Sequence, residues 1–259
     1  MSQVIRAKLE GKMIPLRTLL ARNIGCARRK ADDLLDEAAE EGIALPKALD
    51  PATLPATIQL VDGEIILYDS YHLLLNKPVG CITALMDARH PTVMDYLEDM
   101  PLLPELRPVG RLDRETTGLL LFTTSGDYLH SLTHPKTGFP RTYHAALARP
   151  PAPYTKGMAL EDGLVPTIAH LGPLPKTEVH PSLVPHPETQ AFATITIVGG
   201  AYHEVRRIFA ALSSHVLSLC RVSFGPFQLP LDLDPGNHQP IEGQAIARAI
   251  EQAKAAMRT

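Results

Sequence analysis

The chain has 259 residues, enough for one large domain or two ordinary ones. With 45% apolar and 20% charged residues it has the composition of a folded globular protein, which excludes wholesale disorder, collagen and coiled coil. The formal net charge of −3 argues against a protein that is basic all over, and its 24 prolines are nearly twice the usual share of about 5%.

Charge is spread unevenly. Residues 1–35 carry eight basic side chains (Arg6, Lys8, Lys12, Arg17, Arg22, Arg28, Arg29, Lys30) against three acidic ones, a balance of +5. Residues 36–70 carry one basic and eight acidic side chains, a balance of −7. Cys26, Cys81 and Cys220 are far apart and have no metal-ligand spacing, so reduced thiols in a cytoplasmic protein are expected. No apolar signal segment opens the chain, and no apolar run approaches the roughly 18 residues that a membrane span needs.

In chain order, residues 16–22 predict a short helix. Ala27, Ala31, Leu34, Leu35 and Ala38 then fall on one helical face, in a helix closed by Gly42. Arg28, Arg29 and Lys30 occupy its first turn, where the positive helix end disfavours cations by about 0.3–1 kcal/mol. Three cations there suggest an anionic partner; a solvated face is the plainer alternative. Strands are predicted at residues 58–61 and 65–68, joined by an Asp62-Gly63 turn. This gives a first domain over residues 1–68 and a second over 69–259.

In the second domain, strands are predicted at residues 72–76, 119–123, 142–147, 193–198 and 216–222. Helices are predicted at 93–98, 127–132, 205–212 and 243–257. Residues 150–187 hold nine prolines and little periodicity, and predict an elaborated surface connection. Strands outnumber helices without regular βαβ alternation. The expected class is therefore α+β, with a largely antiparallel mixed sheet.

Three runs could carry chemistry. Gly110-Arg111-Leu112-Asp113-Arg114 leads into an apolar strand and places Asp113 at a sheet edge between arginines that favour its ionised form. Such an aspartate can be a nucleophile, a general base or a metal ligand, or simply one half of a loop salt bridge. Arg141-Thr142-Tyr143-His144 lies on a strand, where a tyrosine can stack on a base, handle a proton or fill the core. In Tyr202-His203-Glu204-Val205-Arg206-Arg207-Ile208-Phe209 the helical wheel puts Arg206 at the edge of the apolar face and Arg207 near its back. Arg206 can then reach a site beside the core, Arg207 meets solvent or phosphate, and His203 is read as a local hydrogen-bonding residue. No metal-ligand spacing, P-loop or dinucleotide fingerprint occurs.

These runs, together with Leu75-Asn76-Lys77-Pro78-Val79-Gly80, resemble in order and spacing the RsuA-type family of pseudouridine synthases. His90-Pro91-Thr92-Val93 fits the branch acting on small-subunit ribosomal RNA. The first 68 residues are similar to the small S-four-type RNA-binding domain. The resemblance implies isomerisation of a uridine in ribosomal RNA, with no cofactor and no metal. It makes Asp113 the catalytic residue, Tyr143 the residue stacking on the base, and Arg206 the cation paired with Asp113. Arg22, Arg28, Arg29, Lys30, Lys77, Arg111, Arg114, Arg141, Arg207 and Arg221 are the expected RNA contacts. The expected partner is ribosomal RNA or an assembling ribosomal subunit, met by a cytoplasmic monomer. The chain departs from the family in having Glu204 where a glutamine is usual and Arg141 where a lysine is usual; residues 42–56 and 150–187 also match poorly. Competing expectations are a synthase of large-subunit RNA, a non-catalytic ribosome-assembly factor that binds RNA without isomerising it, and a hydrolase using Asp113 and Glu204, which would leave an abasic ribose.

Overall fold

The computed structural model describes residues 12–256. Arg6, Lys8 and Glu10, which enter the N-terminal charge balance, lie outside the described residues, as does Met257 of the predicted last helix. The chain divides into two units: residues up to Tyr71 together with Leu97–Leu106, and His72–Tyr96 together with residues from Arg107 onward.

The first unit contains strand β1 (Ile14–Pro15), helix α1 (Leu16–Asn23), helix α2 (Arg28–Glu40), strand β2 (Ala48–Leu49) and the hairpin of β3 (Ala56–Leu60) and β4 (Gly63–Leu67). Pro15 sets the entry to α1, and Leu16, Leu19 and Leu20 put its apolar face into the core. Ala31 and Ala38 of α2 are fully buried, with Leu34 and Leu35 packed alongside, as the apolar spacing predicts. The hairpin loop is Val61-Asp62, one residue earlier than expected, because Gly63 already pairs with Leu60. The Asn23 side chain closes the unit. Its amide donates to the carbonyls of Leu19 and Tyr68 and accepts the Tyr68 N–H. Segment Leu97–Leu106 adds Glu105, whose carboxylate receives two bonds from Arg22 at 2.8 and 3.0 Å.

The second unit is built on one nine-stranded sheet. In chain order its strands are β5 (His72–Lys77), β6 (Arg107–Pro108), β7 (Thr116–Thr123), β8 (Arg141–Leu147), β9 (Ile168–Pro173), β10 (Ala191–Ile197), β11 (Val216–Phe224), β12 (Phe227–Gln228) and β13 (His238–Pro240). Across the sheet the order is β13-β5-β7-β11-β8-β10-β9, with β12 on β11 and β6 on β7. Only β7 and β11 pair in parallel, so the α+β class and the largely antiparallel sheet are as expected. Every residue of β5 and β7 is buried, which is why their sequences read as continuous apolar runs rather than alternating ones. Gly118 allows β7 and β11 to approach closely. Its φ is +101°, and a Cβ there would lie 2.3 Å from the Arg221 carbonyl oxygen.

Helices α3 (Gly126–Thr133), α4 (Glu204–Ala211) and α5 (Gly243–Ala256) complete the unit. Leu132 of α3 and Ile246, Ala249 and Ile250 of α5 join Leu74, Leu121 and Val222 in the core, while Val205, Ile208 and Phe209 of α4 are buried. Two predicted elements need correction. The helix expected at residues 93–98 is a single 3-10 turn, Val93–Tyr96, fastened where Asp95 accepts both the N–H and the hydroxyl of Thr92. The proline-rich stretch 150–187 is more than a surface connection. It contributes strand β9, it buries Leu160, His180, Ser182 and Leu183, and Ser182 takes hydrogen bonds from Asn76 and Thr117. Prolines bracketing β9 conceal the strand in the sequence. Among the described residues no helix is long and apolar enough to cross a membrane.

Candidate active site

A cavity of about 800 Å³ opens in the second unit, and Asp113, Tyr143 and Arg206 all line it. The motif residues far apart in sequence are thus gathered at one place.

Asp113 sits on the loop between β6 and β7, and the backbone around it is fastened at several points. The Thr83 hydroxyl, buried, donates to the Leu112 carbonyl (2.9 Å) and accepts the Leu112 N–H (3.1 Å). The Asp113 carbonyl accepts the Thr116 N–H at 3.0 Å. Gly80 N–H donates to the Arg114 carbonyl, and Arg114 Nε donates back to the Gly80 carbonyl. Lys77 Nζ, with no solvent exposure, donates to the carbonyls of Pro78 and Thr116 at 3.0 Å and of Arg114 at 3.4 Å. Burial pushes its pKa below the usual lysine value. The Asp113 side chain itself stays 40% exposed toward the cavity.

Behind the cavity runs the strand pair β8–β11. Tyr143 on β8 is 8% exposed and lies opposite Arg221 on β11. Arg141 and Arg221 both place their guanidinium over the Phe224 ring, at 5.2 and 5.5 Å from its centre. Desolvation lowers the pKa of Arg141, one of the cavity-lining residues.

The opposite wall is the turn before α4. The Glu204 N–H donates to the Ala201 carbonyl (3.1 Å), and the Glu204 carboxylate accepts the Ala201 N–H (2.9 Å). The carboxylate is buried against Gly199, where a Cβ would come within 2.7 Å of it. This accounts for an acid at position 204: it fastens the turn and the start of the helix, as an N-terminal acid should. His203, at φ +51°, points Nε2 at Asp113 Oδ1, 3.6 Å away, and its ring stacks on Tyr202.

Several expected roles change. Arg206 is not paired with Asp113 in this structure; it donates through Nη1 to the Val216 carbonyl (3.1 Å), and its Nη2 is buried with no partner. The ring that faces Asp113 is that of His203 instead, so His203 is more than a local hydrogen-bonding residue. Lys77 and Arg221, both expected as RNA contacts, are buried and hold backbone carbonyls of the scaffold. Lys77 is bound to three carbonyls, and Arg221, 2% exposed, donates through Nε to the Leu119 carbonyl at 2.7 Å. Arg22 is engaged by Glu105 and Asp69, which raise its pKa, and Arg207 pairs with Asp162. Arg28, Arg29, Lys30, Arg111 and Arg114 are exposed, although Arg114 also holds the Gly80 carbonyl. Sequence reasoning missed Thr83 altogether. No motif marks it, and only the fold brings it to Leu112.

Residues 71–211, more than half of the chain, match the family model described as RNA pseudouridylate synthase. The chain belongs to the RNA pseudouridylate synthase family. Its similarity to ribosomal small subunit pseudouridine synthase A of Escherichia coli (strain K12) is 30% identity over 243 residues, spanning 83% of this chain and 99% of that protein. The corresponding protein of Haemophilus influenzae is 29% identical over 247 residues, spanning 90% and 97%. A crystal structure of a pseudouridylate synthase superposes with a TM-score of 0.57 at 26% identity, covering 91% of this synthase and 99% of that chain. Among the synthase's described residues, no three His, Cys, Asp or Glu side chains gather as a metal site would require.

Proposed function

We propose that this synthase isomerises a uridine of small-subunit ribosomal RNA to pseudouridine, acting as a cytoplasmic monomer on the RNA or on an assembling subunit. The observation that carries the reading is the convergence of Asp113, Tyr143 and Arg206 on one cavity of nucleotide-accommodating size. The extended similarity to small-subunit synthases favours that branch over the large-subunit one. A non-catalytic assembly factor would have no use for a fastened, solvent-facing carboxylate opposite a buried tyrosine. The hydrolase reading fails on Glu204, whose carboxylate is buried in the turn before α4 and is occupied there.

A uridine within a duplex hides its reacting atoms, so the target is single-stranded or flipped into the cavity. The Asp113 carboxylate assists the departure of uracil N1 from ribose C1′. The freed uracil turns, its C5 bonds to C1′, and the proton on C5 is lost while N1 regains one, so mass is unchanged. Tyr143 packs against the base. The partnerless Nη2 groups of Arg206 and Arg221 belong to cavity-lining residues, and a ligand rich in carbonyl and phosphate oxygens satisfies such donors. Arg206 is positioned to move onto Asp113 or the substrate once the cavity fills. The exposed Arg28, Arg29 and Lys30, at a helix start with no acidic residue in its first turn, supply shape- and phosphate-directed RNA contacts.

The test is tritium release from small-subunit ribosomal RNA labelled at uracil C5. Asp113→Asn is expected to abolish release while its thermal unfolding stays that of the wild type; undiminished release from this variant overturns the assignment. Carbodiimide mapping of ribosomal RNA from cells lacking the gene decides the branch, through loss of a small-subunit or a large-subunit site.

A further inference from the structure

Of the exposed large apolar side chains among the described residues, only Tyr202 lines the cavity that holds Asp113. It is 77% exposed, an unusual state for an aromatic ring beside a site. The exposure does not come from a loose loop. Tyr202 sits inside the turn closed by the two Ala201–Glu204 hydrogen bonds, and its carbonyl accepts a bond from Arg207 Nη1 at 3.4 Å. One face of its ring lies on the imidazole of His203, with centres 3.8 Å apart and planes 20° from parallel. That separation is close to the roughly 3.4 Å spacing of stacked bases. His203 holds the left-handed φ of +51°, a conformation that costs of order 1 kcal/mol or more and that is retained here where the ring faces Asp113. The arrangement therefore runs from the Asp113 carboxylate to the His203 ring, then to the Tyr202 ring, and then to open space.

We propose that the free face of Tyr202 is a stacking platform for the base next to the isomerised uridine in the RNA strand. The proposal rests on the uridine-isomerising reading given above and adds to it a subsite for the neighbouring nucleotide. A base flipped toward Asp113 leaves its neighbour unstacked, and an aromatic face restores that stacking without demanding a particular base. The platform is built before RNA arrives, so little ordering is lost on binding. It selects for an unpaired or splayed neighbour more than for its identity.

The experiment uses the full-length protein and C5-tritiated small-subunit ribosomal RNA, followed by synthetic fragments carrying the mapped uridine. Tyr202→Ala is expected to raise KM about tenfold, the scale of one lost base–aromatic stack, with kcat little changed and an unaltered unfolding temperature. Tyr202→Phe, which keeps an aromatic face, recovers most of that loss. The decisive comparison replaces the base 5′ or 3′ of the target with an abasic nucleotide. On one of those two RNAs the wild type falls to the level of Tyr202→Ala, and the two proteins become equal. Equal KM values on the intact RNA overturn the platform, as does a Tyr202→Ala defect of undiminished size on both abasic RNAs, which would mark a contact with sugar, phosphate or protein. Wild-type protein that releases no tritium from ribosomal RNA overturns the functional reading and the platform with it; release by the wild type without any dependence on Tyr202 overturns the platform alone.

Discussion

On one wall of the cavity, residues 112–116 are fastened by side chains from elsewhere in the second unit, chiefly Lys77 and Thr83. On the other, residues 199–204 are fastened from within, by Glu204 folding back on Ala201. The difference matters for chemistry. A carboxylate that is to act on a bound substrate needs its backbone immobilised, and non-local bonds do this whatever side chains the loop itself carries. A wall fastened from within can change an exposed residue such as Tyr202 without unfastening the backbone that carries Asp113. Buried Lys77 and Arg221 serve carbonyl groups, while Arg28, Arg29 and Lys30 are exposed.

Removing Lys77 is the severest way to break this contrast. Lys77→Met removes the buried ammonium that bonds the carbonyls of Pro78, Arg114 and Thr116, and is expected to cost about 3 kcal/mol in urea unfolding and to lower kcat even where the protein is folded. An unchanged urea midpoint would show that the fastening is idle. Acid tests whether the strands behind both walls fail together. Burial pushes the pKa of His72, 4% exposed, down to about 4 from the usual 6.5, and His144, next to Tyr143, is pushed down to about 4 as well while accepting the His180 N–H. Between those values the unfolded chain binds protons that the folded chain does not. Stability is therefore complete above about pH 6.5 and falls as the pH drops, by about 2 kcal/mol for His72 down to about pH 5. Urea midpoints measured across that range should decline with pH, and unfolding should coincide with loss of activity.

A subtler change is Thr83→Val, which keeps the shape and deletes both bonds to Leu112. About 1 kcal/mol of stability should be lost, and kcat should fall more than KM rises, because the substitution loosens Asp113 and leaves the RNA surface intact. The smallest effect belongs to the opposite wall. Glu204→Gln retains an oxygen acceptor for the Ala201 N–H and should shift stability by under about 0.5 kcal/mol; a large loss would mean that the charge, and not the acceptor, holds the turn.

Much of this was legible in the sequence. The apolar runs at β5 and β7, the alternation of β10 and the amphipathic period of α2 each reflect burial of one or both faces, and burial is what hydrophobic spacing records. The motif residues Asp113, Tyr143 and Arg206 were identified by resemblance, and all three line one cavity. Their pairing was not legible. A helical wheel placed Arg206 at the edge of the apolar face, but it could not show that the Val216 carbonyl holds one end of the guanidinium while His203 faces the aspartate. Nor does a sequence distinguish Lys77 from Lys30. One is buried on three carbonyls and the other is exposed, and the difference arises only from which strands lie beside each. Strand β9 was hidden for a similar reason, since prolines at its ends look like loop signals until β10 is found next to it.

The surplus of proline has one more effect. The outermost strands of the large sheet are β9 and β13, ending at Pro173 and Pro240. An open sheet edge offers unpaired N–H groups onto which a second chain can add a strand, and a proline in that position has no N–H to offer. Such blunt margins guard the sheet against edge-to-edge polymerisation.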